Sequence, residues 1–348
     1  MKANDSGGDR VGVVIVNKNA GVHLGHALES LQRQTVAPRR VIVVDNASDD
    51  GSLDGLDARF PSVELVRSDE NLGFAAANNL AVRMCDDCAF VALLNPDAFP
   101  EPDWLETLLR AAGAHPECGF FGSRLVLAED EATLDGTGDQ YHISGMAWRR
   151  DQGASALVER PEAETFSACA AAALYRRDPF LAVGGFDESF FCYYEDTDLA
   201  FRLRLAGHRC LHVPGAVVHH VGSVTTGLLS EFTIYHSSRN QVWTYVKNMP
   251  RALFWLYLPQ HVMVNLLITV VYAAQGQRRA AIRGKRDALR DLPRVLAQRR
   301  QIQRSRVATS SELRSAMARG VLAYVPGVLG RVRERRRVRL ATNAPQRA

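Results

Sequence analysis

The segment FVALLNPDAFP, residues 90–100, decides how the first half of this chain folds. Its first residues are all apolar, and this run stops at Asn95, Pro96 and Asp97. A short apolar run that ends in turn residues is typical of a strand buried on both faces of a sheet. Asp97 therefore stands at the mouth of a buried strand, where a carboxylate contributes nothing to an apolar core.

Similar strands alternate with helices over the first hundred or so residues. The runs VGVVIVNKN (11–19) and RRVIVVDNASDDGS (39–52) predict two further buried strands, and LGHALESLQRQ (24–34) has its apolar residues at helical spacing. The segment VELVRSDENLGFAAANNLAVRM (63–84) predicts a short strand, a glycine-containing turn and a helix. This alternation predicts an α/β fold with a doubly wound, parallel sheet.

Two acids follow strands of this predicted sheet, Asp45 and Asp97. Ligands of such sheets bind beyond the carboxyl ends of the strands, so both acids are candidates for ligand binding. Asp97 alone could equally cap the next helix, because Asp is a good N-cap residue. The pairing with Asp45 and the nearby segment NLGFAAANN (71–79) favour binding, since Gly73 permits close backbone approach and a helix N-terminus attracts anions.

A second group of acids lies in VGGFDESFFCYYEDTDLAFRLRLAG, residues 183–207. Acids beside aromatic rings are partly desolvated, which raises a carboxyl pKa toward the range of a general base. A helix that begins with acids to suit its dipole is an equally good interpretation. The glycine-rich segment LDGTGDQYHISGMAWRRDQG (134–153) predicts an irregular loop outside the core.

Adjacent histidines, His219 and His220, follow a short apolar run. In an extended segment they point to opposite sides, so at most one faces a site. A histidine that joins Asp97 on a divalent ion suits manganese, whereas magnesium prefers oxygen ligands.

Composition predicts a globular chain, with 47% hydrophobic and 23% charged residues. The cysteines show no disulfide framework, and CDDC (85–88) is a lone pair that predicts zinc or redox chemistry only weakly. The polar opening MKANDSGGDR does not resemble a secretory signal. We therefore expect the globular part to be cytoplasmic.

The last third of the chain is basic and contains one long apolar stretch. After Arg278 the only acids are Asp287, Asp291, Glu312 and Glu334, a balance that suits anionic lipid head groups, nucleic acid or simply a solvated helix.

The apolar stretch, Leu253–Ala274, has about the length that spans a bilayer, but Pro259, Gln260, His261 and Asn265 interrupt it. These interruptions favour an interfacial or re-entrant helix over a full crossing, and a buried core helix is the alternative.

Seven motifs in order resemble the inverting glycosyltransferase family 2, particularly its rhamnosyltransferase-like bacterial members. They are VVIVNKN, VIVVDNASDDGS, NLGFAAANN, LLNPDAF, the 183–207 segment, HVGSVTTG and RNQVWTYVKNMP, and they span roughly residues 11 to 250. Each motif alone is weak, but their order and spacing are specific. The resemblance implies a GT-A-type domain over 11–250. Composition predicts a flexible N-terminus (1–10) before it, and a helical, amphipathic or membrane-associated region (251–330) and a basic tail (331–348) after it.

The resemblance also implies roles for single residues. Asp45 matches the acid that contacts the nucleobase, and Asn17 lies on the strand that lines the base pocket. Asp97 matches the last acid of a metal-binding DxD element whose first acid is replaced here by Asn95, and His220 matches a position that assists the metal or diphosphate. Asp196 matches the general base, with Glu195 beside it in a supporting role. The remaining substrate-binding candidates are Asn46, Asn71, Gly73, Asn78, Trp148 and Arg149.

The expected activity is transfer of a sugar from a nucleotide-sugar donor to a hydroxyl group, with a divalent metal, Mg or Mn, as cofactor. L-rhamnose from dTDP-rhamnose is the expected donor group, and the acceptor is a lipid-linked glycan or polysaccharide at the cytoplasmic face of the inner membrane. Another donor, a UDP- or GDP-sugar, and an inactive nucleotide-sugar-binding scaffold are the alternatives. We expect no nucleic-acid partner, because nucleic-acid binding leaves the acids at the sheet edge without a role.

Overall fold

The computed structural model describes residues 11–222, 230–320 and Ala323. The predicted flexible N-terminus (1–10), the predicted basic tail (331–348) and most of the HVGSVTTG motif lie outside the described residues.

Strands and helices alternate through the first half of the chain. They are β1 (Val11–Asn17), α1 (His23–Gln32), β2 (Arg40–Asn46), α2 (Leu56–Arg59), β3 (Val63–Ser68), α3 (Gly73–Met84), β4 (Phe90–Leu94), β5 (Ala98–Pro100), α4 (Trp104–Ala114), β6 (Cys118–Leu127) and β7 (Asp130–Gly136).

The second half is richer in helices. It contains β8 (Asp139–Tyr141), β9 (Ala147–Arg149), β10 (Ala163–Thr165), β11 (Ala172–Arg176), α5 (Arg177–Ala182), a 3-10 turn (Glu188–Phe190), α6 (Glu195–Leu205), β12 (Arg209–His220), α7 (Glu231–Asn248), α8 (Arg251–Ala274), α9 (Arg278–Arg290), α10 (Leu292–Arg304) and α11 (Ser310–Ala316).

The central sheet has the strand order β10-β12-β6-β11-β4-β1-β2-β3, with β5 added to β12 and β7 added to β6. Strands β4, β1, β2 and β3 are parallel, and β6 and β12 are parallel to each other. Strand β11 is antiparallel to both β4 and β6, so six of these eight strands run in one direction. The predicted doubly wound, mostly parallel sheet is confirmed, and β11 makes it a mixed sheet.

The order of the strands reverses at β1, which has β2 on one side and β4 on the other. The connections that leave the two carboxyl ends therefore diverge, and a crevice opens between them. Asp97 lies in this crevice and does not cap the next helix, because α4 begins at Trp104 and its N-cap residue is Asp103. The capping alternative for Asp97 is therefore excluded.

The prediction of an irregular loop for residues 134–153 is wrong. Strands β8 and β9 pair as a small antiparallel sheet, and the side chains of Asp135, Thr137 and Tyr141 are buried. Polar residues and glycines conceal this burial in the sequence. Hydrogen bonds hold buried polar side chains there, for example from Thr137 Oγ1 to Asp151 at 2.6 Å, and Tyr141 packs on Phe166 with 4.9 Å between ring centroids.

Helix α8 has two different faces. His261 and Asn265 are buried against the protein, and the His261 ring stacks on Tyr245 with 3.9 Å between ring centroids. The opposite face is apolar and exposed, and its large side chains are Trp255, Leu256, Val262, Met263, Leu266, Leu267, Val270 and Val271. By length and composition alone this helix could cross a membrane, but two of the polar residues that interrupt it, His261 and Asn265, face protein.

A buried ionic network joins α6 to the helices that follow it. Lys247 on α7 is 1% exposed, and its Nζ lies 2.8 Å from Asp198 on α6 and 2.6 Å from Asp187. Arg202 also pairs with Asp198 at 2.8 Å, and Gln298 on α10 donates to Asp187 at 3.0 Å. The network fixes α6, which carries the candidate catalytic acids, against α7 and α10.

We predict that Lys247→Met lowers the free energy of unfolding by about 3 kcal/mol, because it leaves two buried carboxylates with fewer partners. This loss of unfolding free energy lies at the low end of the range for a broken buried ion pair, because Asp198 still pairs with Arg202. Urea unfolding checks this value. Arg110→Met, at an exposed i,i+4 pair with Glu106, is the control, and an equal loss in both variants would contradict the prediction.

Candidate active site

A cavity of about 340 Å³ opens at the carboxyl ends of β1 and β4 and extends to the start of α6. The structure brings most of the predicted site residues together around it: Asn46, Asn71, Gly73, Asn95, Asp97, Arg149, Glu195, Asp196 and His220 line the cavity. The other four, Asn17, Asp45, Asn78 and Trp148, do not line it.

One side of the cavity carries Asp97 and His220. Asp97 follows β4 and His220 ends β12, and β5, next in the chain, pairs with β12 and so brings Asp97 beside His220. The His220 Nε2 lies 3.4 Å from an Asp97 oxygen and 3.5 Å from the Asn95 amide nitrogen. The other ring nitrogen, Nδ1, lies 2.7 Å from Asp135. His219 faces away from the cavity and pairs with Glu101 at 2.7 Å.

This pair of side chains fits a divalent cation. Adjacent ligands on an octahedral ion with bonds of about 2.1 Å lie about 3 Å apart, close to the separation of Asp97 and His220. A carboxylate with an imidazole is a donor set that suits manganese, and magnesium accepts the oxygen ligand together with waters and phosphates. Asp135 at the second ring nitrogen is the arrangement that orients a metal-binding histidine.

On this side of the cavity, the charges of His220 and Asp97 depend on each other. Burial lowers the pKa of His220, but the hydrogen bonds to Asp135 and Asp97 outweigh it and raise that pKa to about 9. Burial also opposes ionisation of Asp97, yet His220 holds the pKa of Asp97 below its usual value. Without a bound cation, His220 is therefore an imidazolium between two carboxylates, and a cation would take the place of its Nε2 proton.

The opposite side of the cavity carries Glu195 and Asp196, the first two residues of α6. Asp196 is partly exposed to the cavity, and Glu195 is 6% exposed. Burial raises the pKa of Asp196, although hydrogen bonds from the Thr197 and Ala170 backbone N–H groups oppose the shift. Burial, with the neighbouring charge of Asp196, raises the pKa of Glu195 well above its usual value. Asp196 thus has both the position and the pKa shift of a general base.

The aromatic loop before α6, residues 191–194, is strained. Phe191, Tyr193 and Tyr194 all have φ between 66° and 68°, a conformation that bulky residues rarely adopt. The Asn240 amide on α7 donates to the Tyr193 carbonyl at 2.7 Å and to the Cys192 carbonyl at 2.9 Å. Strain of this kind persists only where surrounding contacts hold it, and here they fix where α6 begins.

Arg149 lies between the two sides of the cavity. One of its terminal nitrogens lies 2.9 Å from the Cys169 sulfur, and its Nε lies 4.0 Å from Asp139. Ligand-type atoms of Asp139, Cys169 and Asp196 lie within 4.8 Å of one another, a spacing that could hold an ion. The guanidinium of Arg149 already supplies positive charge to this group. Burial and the charge of Asp196 still raise the pKa of Asp139 to about 8.

Four other predicted residues shape the rim of the crevice. The Asn17 amide donates to Asp45 at 2.8 Å, and Asp45 accepts from the Ser48 N–H at 3.1 Å, so this pair orders the loop after β2. Asn46 accepts from the Leu72 N–H at 2.8 Å. Asn71 accepts from the Gly73 N–H at 2.9 Å, so Asn46 and Asn71 fix the turn before α3.

Gly73 begins α3 with φ of 80°, and a Cβ there would lie 2.6 Å from the Phe191 ring. The close backbone approach predicted for Gly73 is therefore made by the aromatic loop. Asn78 donates to the Phe74 carbonyl at 2.9 Å within α3, and Trp148 lies on β9. Both stand outside the cavity lining, and their substrate-binding roles stay predictions.

Several cavity residues were not predicted from the sequence: Lys18, Asp135, Cys169, Tyr193, Tyr194 and Phe232 line the cavity as well. Lys18 was adjacent to a predicted residue, Asn17, at the end of a predicted strand, and that position is a usable signal. Phe232 is on α7, distant in sequence, and no local pattern marks it. The CDDC cysteines, Cys85 and Cys88, are buried free thiols away from the cavity lining.

The sequence of this chain is similar to those of glycosyltransferases. The model of glycosyl transferase family 2 matches residues 12–184. The N-acetylglucosaminyl-diphospho-decaprenol L-rhamnosyltransferase of Mycobacterium tuberculosis is 31% identical over 278 residues, which cover 72% of this chain and 88% of that protein.

Solved structures of glycosyltransferases show the same fold. GalNAc-T7 with UDP, GalNAc and Mn²⁺ has a TM-score of 0.55 at 15% identity, over 68% of this chain and 50% of that one. A mannosyltransferase from Pyrobaculum calidifontis with GDP-Man and Mn²⁺ has a TM-score of 0.50 at 19% identity, over 85% of each chain. These likenesses confirm the predicted GT-A-type fold. The sequence matches show that the chain belongs to glycosyl transferase family 2, as a rhamnosyltransferase-like glycosyltransferase.

Proposed function

We propose that this glycosyltransferase moves L-rhamnose from dTDP-rhamnose to a hydroxyl of a lipid-linked acceptor, with inversion at the anomeric carbon. The observation that carries the proposal is the placement of the cation-type pair, Asp97 and His220, and the base candidate, Asp196, on two sides of one cavity. The sugar and the acceptor are inferred from the mycobacterial relative, whose name specifies L-rhamnose and an N-acetylglucosaminyl-diphospho-decaprenol acceptor.

The chemistry needs a base, because a neutral hydroxyl is a poor nucleophile. Asp196 accepts the acceptor proton as the new glycosidic bond forms, and its raised pKa suits that transfer near neutral pH. The bond from the anomeric carbon to the diphosphate breaks on the face opposite the incoming oxygen, so one displacement inverts the centre. A divalent cation held by Asp97 and His220 would stabilise the charge of the departing diphosphate.

The acceptor side of the proposal involves α8 and α9. The exposed apolar face of α8 is followed by α9, whose arginines at 278, 279 and 290 are exposed. Apolar insertion together with attraction to anionic lipid is the combination that peripheral membrane binding requires. We propose that this surface lies on the cytoplasmic leaflet and there meets the lipid-linked acceptor. The burial of His261 and Asn265 supports a helix that lies on the membrane rather than one that crosses it.

Donor binding tests the proposal directly. We expect isothermal titration to show that dTDP-rhamnose binds in the presence of Mn²⁺ or Mg²⁺, more tightly than UDP-galactose, UDP-N-acetylglucosamine or GDP-mannose. Asp97→Ala should weaken metal-dependent binding, because it removes the carboxylate ligand. Asp103→Ala, at an exposed position six residues away, is the control. Tighter binding of another donor would overturn the choice of rhamnose, and an unchanged metal titration in Asp97→Ala would remove that residue from the metal site.

The base assignment has its own test. Asp196→Asn should lower kcat at least about 100-fold, the lower end of general-base contributions, while donor affinity stays unchanged. Steady-state rates with donor and acceptor both saturating measure kcat, and titration with dTDP-rhamnose measures donor affinity. Asp54→Asn, an exposed acid in the loop after β2, is the control for charge removal. Normal turnover by the Asp196 variant would exclude it as the base.

Vesicle binding tests the membrane surface. Leu266 and Leu267 are 64% and 58% exposed on α8, and each buried leucine contributes about 1.5–3 kcal/mol. Replacement of both by Ser should reduce partition onto vesicles with anionic phospholipid by at least about tenfold per leucine, as flotation would show. Leu157→Ser, at an 82% exposed leucine outside α8, is the matched control. Equal vesicle binding by the unmodified protein, the double leucine variant and Leu157→Ser would contradict the proposed membrane surface.

A further inference from the structure

Asp135 is a buried acid at the end of β7 that supports both sides of the cavity. Its carboxylate is 4% exposed, and one of its oxygens, Oδ2, receives two charged donors. His220 Nδ1 lies 2.7 Å from that oxygen, and a terminal nitrogen of Arg149 lies 2.5 Å from it. A single atom of Asp135 therefore contacts a residue from each side of the proposed site.

The contact with His220 fixes the direction of the imidazole ring. With Nδ1 held at Asp135, the ring can present only Nε2 to the cavity, where Asp97 lies 3.4 Å away. Carboxylates that hold the second nitrogen of a metal-binding histidine set its tautomer and orientation. The contact with Asp135 thus prepares His220 for the proposed cation before any ligand arrives.

The contact with Arg149 fixes a guanidinium on the other side. The side chain of Arg149 crosses directly over Gly136, since a Cβ at that position would lie 2.2 Å from its Cγ and 2.4 Å from its Cδ. Only glycine at position 136 leaves room for the Arg149 side chain. Both Asp135 and Gly136 therefore help to place Arg149, the first by an ion pair and the second by its lack of a side chain. From there the guanidinium reaches Asp139 and Cys169 beside the base candidate, Asp196.

We infer that Asp135 is a positioning residue that holds His220 toward the cation and Arg149 toward the acceptor side at one carboxylate oxygen. The inference rests on the proposed metal site and adds a residue that the sequence motifs did not include. An ion pair that only stabilised the fold would need one of the two contacts of Asp135, either with His220 or with Arg149. Here Asp135, Arg149 and His220 all line the same cavity, so one oxygen supports a residue on each of its two sides.

Binding of Mn²⁺ to the donor-free protein separates this role from simple stability. We expect Asp135→Asn to weaken Mn²⁺ binding by about 10–100-fold, the usual effect of losing such a support, as measured by electron paramagnetic resonance of free Mn²⁺. The KM for the acceptor should also rise in this variant. Asp151→Asn is the matched control, because Asp151 accepts from Thr137 on the same segment but lies outside the cavity lining.

A second variant acts on one side alone. Gly136→Ala keeps the charges of Asp135 and Arg149 but displaces the arginine stem. It should raise the KM for the acceptor and leave Mn²⁺ affinity as in the unmodified protein. Circular dichroism and thermal unfolding of each variant establish that it is folded, and Gly136→Ala tests the arginine half even where Asp135→Asn fails to fold.

The outcomes distinguish the inference from the function on which it rests. If Asp135→Asn bound Mn²⁺ as tightly as Asp151→Asn does, the positioning role of Asp135 would be overturned. Loss of Mn²⁺ binding in Asp97→Ala would in that case still support the metal site. Unchanged acceptor KM in Gly136→Ala would overturn the part that concerns Arg149. If the unmodified protein bound no Mn²⁺, the proposed metal site and the metal half of the inference would both fail.

Discussion

The reversal of strand order at β1 is the constraint on which the rest of the site depends. Because β2 and β4 lie on opposite sides of β1, the chain leaves the carboxyl ends of these strands in different directions, and a crevice remains between them. The sheet then extends beyond β4 through the antiparallel β11 to β6 and β12. That extension brings His220, at the end of β12, back to Asp97, so two residues 123 positions apart meet at one edge.

The start of α6 depends on a different balance, between strain and the contacts that hold it. Three left-handed aromatic residues in the loop before α6 cost about 1–3 kcal/mol each. Asn240 holds the carbonyls of this loop, and Lys247 and Asp198 fix α6 and α7 together below it. The strained loop places Asp196 at the cavity, and Asn240 and Lys247, which hold the loop and α6 there, lie on α7. Catalytic position and structural support are therefore separated in the sequence but adjacent in space.

Local patterns in the sequence predicted the parts of the fold that local physics determines. The buried run ending at Asp97 and the acidic start of α6 are both visible in a window of ten or so residues, and both lie at the cavity. Asp135 was not predicted because its partner His220 is 85 positions away, and nothing near it in the chain signals that contact. The segment 134–153 resembles a loop in the sequence because polar residues and glycines interrupt any hydrophobic period, although Leu134, Tyr141 and Ile143 are buried in hydrophobic clusters.

The charges of the cavity explain why the proposed donor needs a cation. Four acids line the cavity, Asp97, Asp135, Glu195 and Asp196, against three basic side chains, Lys18, Arg149 and His220. Arg149 and His220 are already engaged by Asp135, so they have limited capacity to balance a further anion. A nucleoside diphosphate adds negative charge to a site that has no surplus of positive charge, and in a poorly solvated cavity that charge is costly. A divalent cation between Asp97 and the diphosphate would offset this cost and replace the His220 proton, so the cation and the donor are each expected to strengthen the binding of the other.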